Sequence, residues 1–572
     1  MKWQTGASRI VEALQQGGVR CVFGLPGTQT VELFEALRIS GLPTVIATNE
    51  MSAAFMAGGW ARVTGEPGIL LTISGPGFTW ALTGLAEARL DSVPLLHIAG
   101  NPTASPNGRY FRQQEIPLSS IAAPLVKGVI EADRYSDPGA AVLDGLLLAR
   151  SGEPGPVLLQ VSSATLGRDL TEGAGATPSS SVVERTDLAA VGARVRRAHR
   201  PVFIVGQATH RYARELRTLI EHVNAPLLTT PSARGVLPEN HRLSFGFDPF
   251  AGSIRDVNEL LESCDLVVAI GCKLGHSDTN GFELKLPRDR LVHFDASAEV
   301  IGANYPVSLG VVGDAGELLH GLLISLPPQS AWSEQELETW RGRIAAGASD
   351  SPEPRIAGTR AGDARSFFES LRRALPPDAM LVLDSGLHQI LARRYFRVLA
   401  PLGLILPTDL QSMGFAIPTA IGARLAAPER PVVALVGDGG FAMTAVELVS
   451  AVREGIDLVV IVFVDGAFGQ IRMQQLASYG KGHGVTLQNP NISLLAAAVG
   501  ARHDLIADGD IGVEAVIGSA LQRSGVTVIE VAVGDSFAIR RTAAIARARE
   551  GARRAAGPPV IRFLSKLFRK SR

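Results

Sequence analysis

Short apolar runs alternate with stretches of helical spacing along most of this chain. The runs at 69–73 (ILLTI), 202–205 (VFIV), 266–270 (LVVAI), 432–436 (VVALV) and 458–464 (LVVIVFV) each end within two residues of a glycine. Runs of this length between helical stretches predict buried strands in parallel sheets, with helices on both faces. Three such segments are expected, at 1–165, 186–327 and 363–535. Residues 166–185, polar and rich in Gly, Ser and Thr, read as a linker, and so do residues 328–362, with a helical middle. In the first segment, strands are expected at 21–23, 44–47, 69–73 and 94–99, with helices at 10–16, 31–37, 51–63 and 80–89. The first and third segments look like variants of one architecture. The expected fold class is therefore α/β, with three doubly wound parallel-sheet domains and a central Rossmann-like one.

Composition narrows this picture. At 572 residues the chain is too long for one core, and about three or four domains of roughly 150 residues are expected. Apolar residues make up 46% and charged residues 19%, enough to bury a large core. Formal net charge is zero, which gives no reason to invoke nucleic acid. The cysteines Cys21, Cys264 and Cys272 are sparse and wrongly spaced for a zinc cluster. That argues for a reducing compartment, and the amphipathic start of the chain has no signal-peptide core, so a cytoplasmic location is expected. The tail at 536–572 is different: Ile561, Leu564, Leu567 and Phe568 share one helical face, with Arg562, Lys566, Arg569 and Lys570 largely off it. It reads as a surface helix packed on the body, or as a basic amphipathic segment for a membrane surface.

The candidate chemistry lies in the third segment. The run 432–436 stops at Gly437-Asp438-Gly439-Gly440, a helix is expected at 444–454, and the run 458–464 stops at Asp465-Gly466-Ala467-Phe468-Gly469. This is a βαβ unit with a right-handed crossover, so both strand ends lie on one sheet edge, where ligands bind in open α/β sheets. Asp438, Asp465 and the Ala467 carbonyl offer three hard oxygens, and diphosphate oxygens and water would complete an Mg²⁺ octahedron. The plain alternative is two unrelated turn aspartates.

The motif GDGGF, followed about 25 residues later by VDGAFGQI, resembles the thiamine-diphosphate motif. Together with FGLPG at 23–27, the glutamate of ATNEMSAAFMAGGWAR, SGPGFTWALTGLAEARLDSVPLL at 74–96, SARGVLPENHRLS at 232–244 and QSMGFAIPTAIGARLA at 411–426, the chain resembles acetolactate synthase and its relatives to about residue 535. The resemblance implies thiamine diphosphate and Mg²⁺ as cofactors. It implies Glu50 as the carboxyl that activates the aminopyrimidine at N1′. Met413 would be the bulky side chain beneath the cofactor, and the Gln411 carbonyl and Met413 amide would hold the pyrimidine. Gly386, His388, Gly437, Gly439, Gly440, Phe468 and Gly469 would line the diphosphate. Gly24, Pro26 and Gly75 would form the pyrimidine face of the opposite subunit, which makes a homodimer the minimum unit and a homotetramer common.

Gln114 matches the glutamine of the family's Phe-Gln-Glu sequence, with Gln113 in place of the phenylalanine; Lys127 stands at the family's spacing, as a contact for an acidic substrate or a solvated lysine. The paired histidine of simple 2-keto acid decarboxylases is absent from this loop. Other departures are Asp465 for the metal-binding asparagine, Val464 for its neighbour, Thr48-Asn49 for Arg-His, and Trp80 for asparagine. Gly271-Cys272-Lys273 in place of Gly-Ala-Arg, with no GxG after Val205, argues against FAD. The expected function is decarboxylation of a 2-keto acid with carboligation. A specialised decarboxylase or carbon–carbon lyase is the alternative, and a non-catalytic homologue the minor one.

Overall fold

In the computed structural model the described residues are 5–102, 113–170, 188–246, 254–328, 332–346, 355–358, 363–507 and 512–534. The basic tail and most of the 166–185 linker lie outside them. The apolar runs form three sheets. The first contains β1 (Val22–Gly24), β2 (Thr44–Ile46), β3 (Gly68–Ile73), β4 (Leu95–Asn101), β5 (Gly128–Glu131) and β6 (Pro156–Ser162), all parallel, in the order β2-β1-β3-β4-β6-β5. The second contains β7 (Pro201–Val205), β8 (Leu227–Thr229), β9 (Leu266–Ile270), β10 (Leu291–Asp295) and β11 (Leu309–Val312), in the order β11-β10-β9-β7-β8. The third contains β12 (Arg355–Ile356), β13 (Met380–Leu383), β14 (Leu404–Ile405), β15 (Val432–Gly437), β16 (Leu458–Val464), β17 (Arg502–Ile506) and β18 (Val526–Gly534). Its order is β12-β18-β16-β15-β13-β14, with β17 also on β18; only β12 runs antiparallel.

Strand order reverses between β1 and β3 in the first sheet and between β13 and β15 in the third. Crevices open at such reversals, beyond the carboxyl ends of the strands. Most candidate residues stand there.

The first and third domains share one apolar core, running from Phe23 and Phe55 through Phe415 and Ile421 to Val528. Its centre is the crossing of helix Glu50–Thr64 with helix Ala416–Ala426, and both are rich in Ala and Gly. A Cβ at Gly59 would lie 2.2 Å from the Thr419 carbonyl oxygen, and one at Gly422 would lie 2.0 Å from that of Met56. The two backbones are therefore nearly in contact. Trp332, Leu337 and Ile344, from the helical middle of the 328–362 stretch, lie in the core of the second sheet.

Two expectations need correction. The helix expected at 444–454 starts earlier: it runs Asp438–Thr444, passes through a 3₁₀ turn at Ala445–Glu447 and resumes at Leu448–Arg453. Gly439 and Gly440 are not breakers here. They stand inside the helix because a Cβ at Gly440 would meet Asp384 Oδ2 at 2.6 Å. The strand expected to close the third sheet, 527–533, is flanked by β16 on one side and by β17 and β12 on the other. The polar residues of RHDLI hid β17. No helix among the described residues is long and apolar enough to cross a membrane.

Candidate functional site

At the first reversal, Glu50 is the first residue of its helix, and the Asn49 side chain caps that helix by accepting from Ser52 N at 2.9 Å. Glu50 is half-buried, and its Oε1 lies 2.8 Å from the position of a Cβ on Gly77. The carboxylate thus rests against the start of helix Pro76–Leu90, whose cap is Gly75 at φ +65°. Gly24 sits so close to Leu71 that a Cβ would be 2.2 Å from its carbonyl oxygen, and Pro26 is exposed. The strand end before Glu50 is anchored from the third domain. Thr48 donates from N (3.1 Å) and Oγ1 (2.5 Å) to the fully buried Glu447, which also accepts from Ser450 Oγ at 2.7 Å.

Gln114 joins this group. It takes φ +63°, its Cβ lies 2.9 Å from the position of a Cβ on Gly75, and its Oε1 accepts from Gln29 Nε2 at 2.6 Å. Gln113 beside it is exposed. Lys127 is neither solvated nor free for a substrate. Its Nζ donates to the carbonyls of Leu148, at 2.7 Å, and Ser151, at the end of helix Pro138–Arg150, and burial pushes its pKa down to about 8. A cation there binds the unpaired carbonyls of a helix terminus.

At the second reversal, Asp438 is buried. Its Oδ1 accepts from Gly439 N at 2.9 Å, and its Oδ2 from Gly466 N at 2.8 Å and Asn489 Nδ2 at 2.7 Å. This carboxylate therefore ties the end of β15 to the turn after β16. Asp465 Oδ1 accepts from Ala467 N at 3.1 Å, and its Oδ2 meets Arg472 Nη2 at 3.3 Å. A Cβ at Gly469 would lie 2.3 Å from Asp465 Oδ2. Met413 and Phe468 close over Gly439, where a Cβ would stand 3.2 and 3.0 Å from their tips. Gln411, at φ +59°, spends its amide on the carbonyls of Pro407 and Thr408, both at 2.7 Å.

His388 stands in the first turn of helix Leu387–Tyr395, capped by Gly386 at φ +146°. Burial pushes its ring down to about 4, and its Nε2 has no partner. A Cβ at Gly437 would sit 3.2 Å from its Nδ1. Sequence reasoning missed Asp384 and Asn489 in this cluster. Asp384 is fully buried and accepts from Ser385 N and Gly414 N at 2.7 and 3.0 Å; burial pushes it up to about 7 against these donors. The acidic strand end in Asp384-Ser385-Gly386 was its available signal.

Between the two domains, Glu87 is buried. Its Oε2 accepts from Ser412 N at 3.2 Å, while Oε1 has no partner. Burial, and then the neighbouring Asp91 carboxylate, push it up from 4.5 to about 7. Between these two values the folded chain holds a proton that the unfolded chain has released, so stability falls as pH rises through the window. The Glu87→Gln variant is expected to raise the thermal midpoint at pH 8, by the equivalent of about 1–3 kcal/mol, and to leave it unchanged at pH 4. Equal shifts at both pH values would contradict this.

In the second domain, β7 and β9 end at Gly206 and Gly271, beside a cavity of about 250 Å³. Polar contacts cross this edge to the first domain: Gln207 donates to the Asp91 carbonyl, and Lys273 pairs with Glu153 at 3.0 Å and donates to the Leu90 carbonyl at 2.5 Å.

Comparison with known proteins places the chain in a family. Three family descriptions match the chain: the N-terminal TPP binding domain of thiamine pyrophosphate enzymes over residues 4–122, the central domain over 188–322, and the C-terminal TPP binding domain over 384–531. A protein of Pseudomonas aeruginosa named as a probable 2-ketoarginine decarboxylase is 31% identical over 93% of this chain and 94% of its own length. The large subunit of acetolactate synthase isozyme 3 of Escherichia coli is 29% identical over 87% of this chain and 89% of its own. The acetolactate synthase large subunit of Parasynechococcus marenigrum is 31% identical over 92% and 87%. The two glycine-lined reversals, with a carboxylate at each, thus belong to a chain of the thiamine-pyrophosphate enzyme family, in the branch that holds acetolactate synthases and related 2-keto acid decarboxylases.

Proposed function

We propose that this protein decarboxylates a 2-keto acid and joins the remaining carbon unit to a second carbonyl compound. The observation that carries this reading is Gln114 beside Gly75. An amide can donate a hydrogen bond to a developing oxyanion, but it cannot give up a proton. That favours transfer of the carbon unit to an acceptor over its protonation. The relative named as a 2-ketoarginine decarboxylase supports a second reading, simple decarboxylation with release of an aldehyde.

The residues fit thiamine diphosphate and Mg²⁺. Gly437 and Gly439 leave space that a Cβ would fill, and His388 Nε2 is a buried polar atom in want of a partner. When bound, thiamine diphosphate supplies the stabilised carbanion chemistry through which a 2-keto acid loses CO₂. Glu50 would be the carboxyl that hydrogen-bonds the pyrimidine N1′ and holds or moves its proton. Met413 and Phe468, which close over Gly439, would support the cofactor, and the Gln411 carbonyl and Met413 amide would orient the pyrimidine. Gly386, His388, Gly437, Gly440 and Gly469 line the diphosphate; Gly24, Pro26 and Gly75 face the pyrimidine. Asp438, Asp465 and the Ala467 carbonyl would hold the metal. No three His, Cys, Asp or Glu side chains among the described residues form a metal group by themselves, so a metal here would need further oxygens, of the kind a diphosphate supplies.

The two halves stand on different domains, and a homodimer or homotetramer brings the first domain of one protomer to the third domain of another. The exposed row Met443, Val446, Val449 and Val452, three residues apart, is an apolar face suited to that contact.

The test uses the full chain with thiamine diphosphate and Mg²⁺. Pyruvate, 2-oxobutyrate and 2-ketoarginine are offered with and without an aldehyde or second keto acid, and CO₂ and product mass are followed. Ligated product is expected. Aldehyde alone supports the second reading. Absence of CO₂, with no cofactor binding by calorimetry, rejects both.

A further inference from the structure

Gln29 has no role so far, yet among the described residues it is the polar partner of the Gln114 amide. It follows the Gly24–Gly27 turn, within the 3₁₀ turn Thr28–Thr30. Its side chain is 7% exposed. Its Nε2 donates to Gln114 Oε1 at 2.6 Å, while its own Oε1 has no partner. A glutamine kept for the fold would have its acceptor satisfied, because a buried unpaired polar atom is costly. Among the described residues, the Gln29 side chain is held by Gln114 alone.

Gln114 is constrained three ways. Its backbone is in the left-handed region, at φ +63°, which non-glycine residues seldom enter without compensation. Its Cβ packs against Gly75, where any side chain at 75 would collide with it. Its amide is oriented by Gln29. An amide has one acceptor oxygen and one donor nitrogen at its end. With Oε1 committed to Gln29, Nε2 is the atom left for a ligand.

We propose that Gln29 is a positioning residue: its donation to Gln114 Oε1 fixes the Gln114 amide with Nε2 as the donor offered to the substrate oxygen. This rests on the decarboxylation–ligation reading above and names the group that sets the polarity of that contact. Two amides can meet in either orientation, and here Gln29 is the donor and Gln114 Oε1 the acceptor. In a Gln29→Glu variant, a carboxylate accepts only, so it draws Gln114 Nε2 toward itself and leaves Oε1 facing the substrate. That reversal turns an attractive contact into a repulsive one.

The experiment takes Gln29→Glu, Gln29→Met, Gln114→Ala and the double variant Gln29→Met/Gln114→Ala, each as full-length protein loaded with thiamine diphosphate and Mg²⁺. For the most active of pyruvate, 2-oxobutyrate and 2-ketoarginine, kcat, KM and the product ratio are measured, with the thermal midpoint alongside. Loss of one oxyanion donor lowers kcat by about 10²-fold. Gln114→Ala and Gln29→Glu are each expected to approach that loss with KM changed less than about threefold, and Gln29→Met to lose less. The double variant should be no worse than Gln114→Ala, since residues acting through one contact are not additive. Gln29 variants with wild-type kcat, or losses that multiply in the double variant, overturn the inference while Gln114→Ala remains impaired. Full activity in Gln114→Ala, or no turnover by the wild type, instead removes the reading on which it rests.

Discussion

Replacing Glu50 with Gln is expected to slow exchange of the C2 hydrogen of bound thiamine diphosphate by about 10²- to 10⁴-fold, the range supplied by one positioned acid–base group. The substitution is close to isosteric. The helix it begins keeps its Asn49 cap, and Gly77 still leaves room for a side chain of that shape. Folding and cofactor affinity should therefore stay near wild type, and the loss should lie in proton movement. Exchange is followed by proton NMR after transfer to D₂O, and affinity by calorimetry. A normal exchange rate in the variant would remove Glu50 from the proposed chemistry.

The second large effect is structural. Gly422→Val places a Cβ about where the Met56 carbonyl oxygen already is, at 2.0 Å. Backbone cannot rotate aside as a side chain can, so the crossing helices must part. The cost should exceed the ~1–3 kcal/mol of ordinary overpacking, and it falls on the core shared by the first and third domains. A fall in thermal midpoint of at least several degrees is expected, together with loss of tight cofactor binding. Gly518→Ala, at a glycine whose added Cβ meets nothing within 4 Å, serves as the control. Equal midpoints for the two variants would show that the crossing is more compliant than its contacts imply.

Much of the fold was legible because buried parallel strands leave long apolar runs. β9, β15 and β16 read directly from LVVAI, VVALV and LVVIVFV. β17 and β12 did not, since RHDLI carries three polar residues and β12 has only two residues. At the site, Asp438 after β15 and Asp465 after β16 stood out as acidic strand ends, while Glu50 came from the family resemblance, since a glutamate at a helix start is ordinary by itself. What sequence could not show was who holds whom. Asn489 lies 51 positions from Asp438 and donates to it, and Glu447 reaches back 399 positions to Thr48. Lys127 shows the same limit. Its spacing matched a substrate contact, but the carbonyls that claim it belong to a helix end more than 20 residues on.

The crossing of helices Glu50–Thr64 and Ala416–Ala426 also sets a timetable for synthesis. Their partners are separated by on the order of 350 residues of chain, which a ribosome adds at about 5–20 per second. For roughly 20 to 70 seconds the nascent first domain carries an Ala/Gly-rich face with nothing to cover it. Much of that face is made of small side chains, with Phe55 set against Phe415 at the start of the later helix, 5.4 Å between ring centroids. A surface of that kind exposes less apolar area than one built throughout from Leu and Phe. The same small residues that let two backbones touch in the finished protein thus limit what the first domain exposes before the third is made.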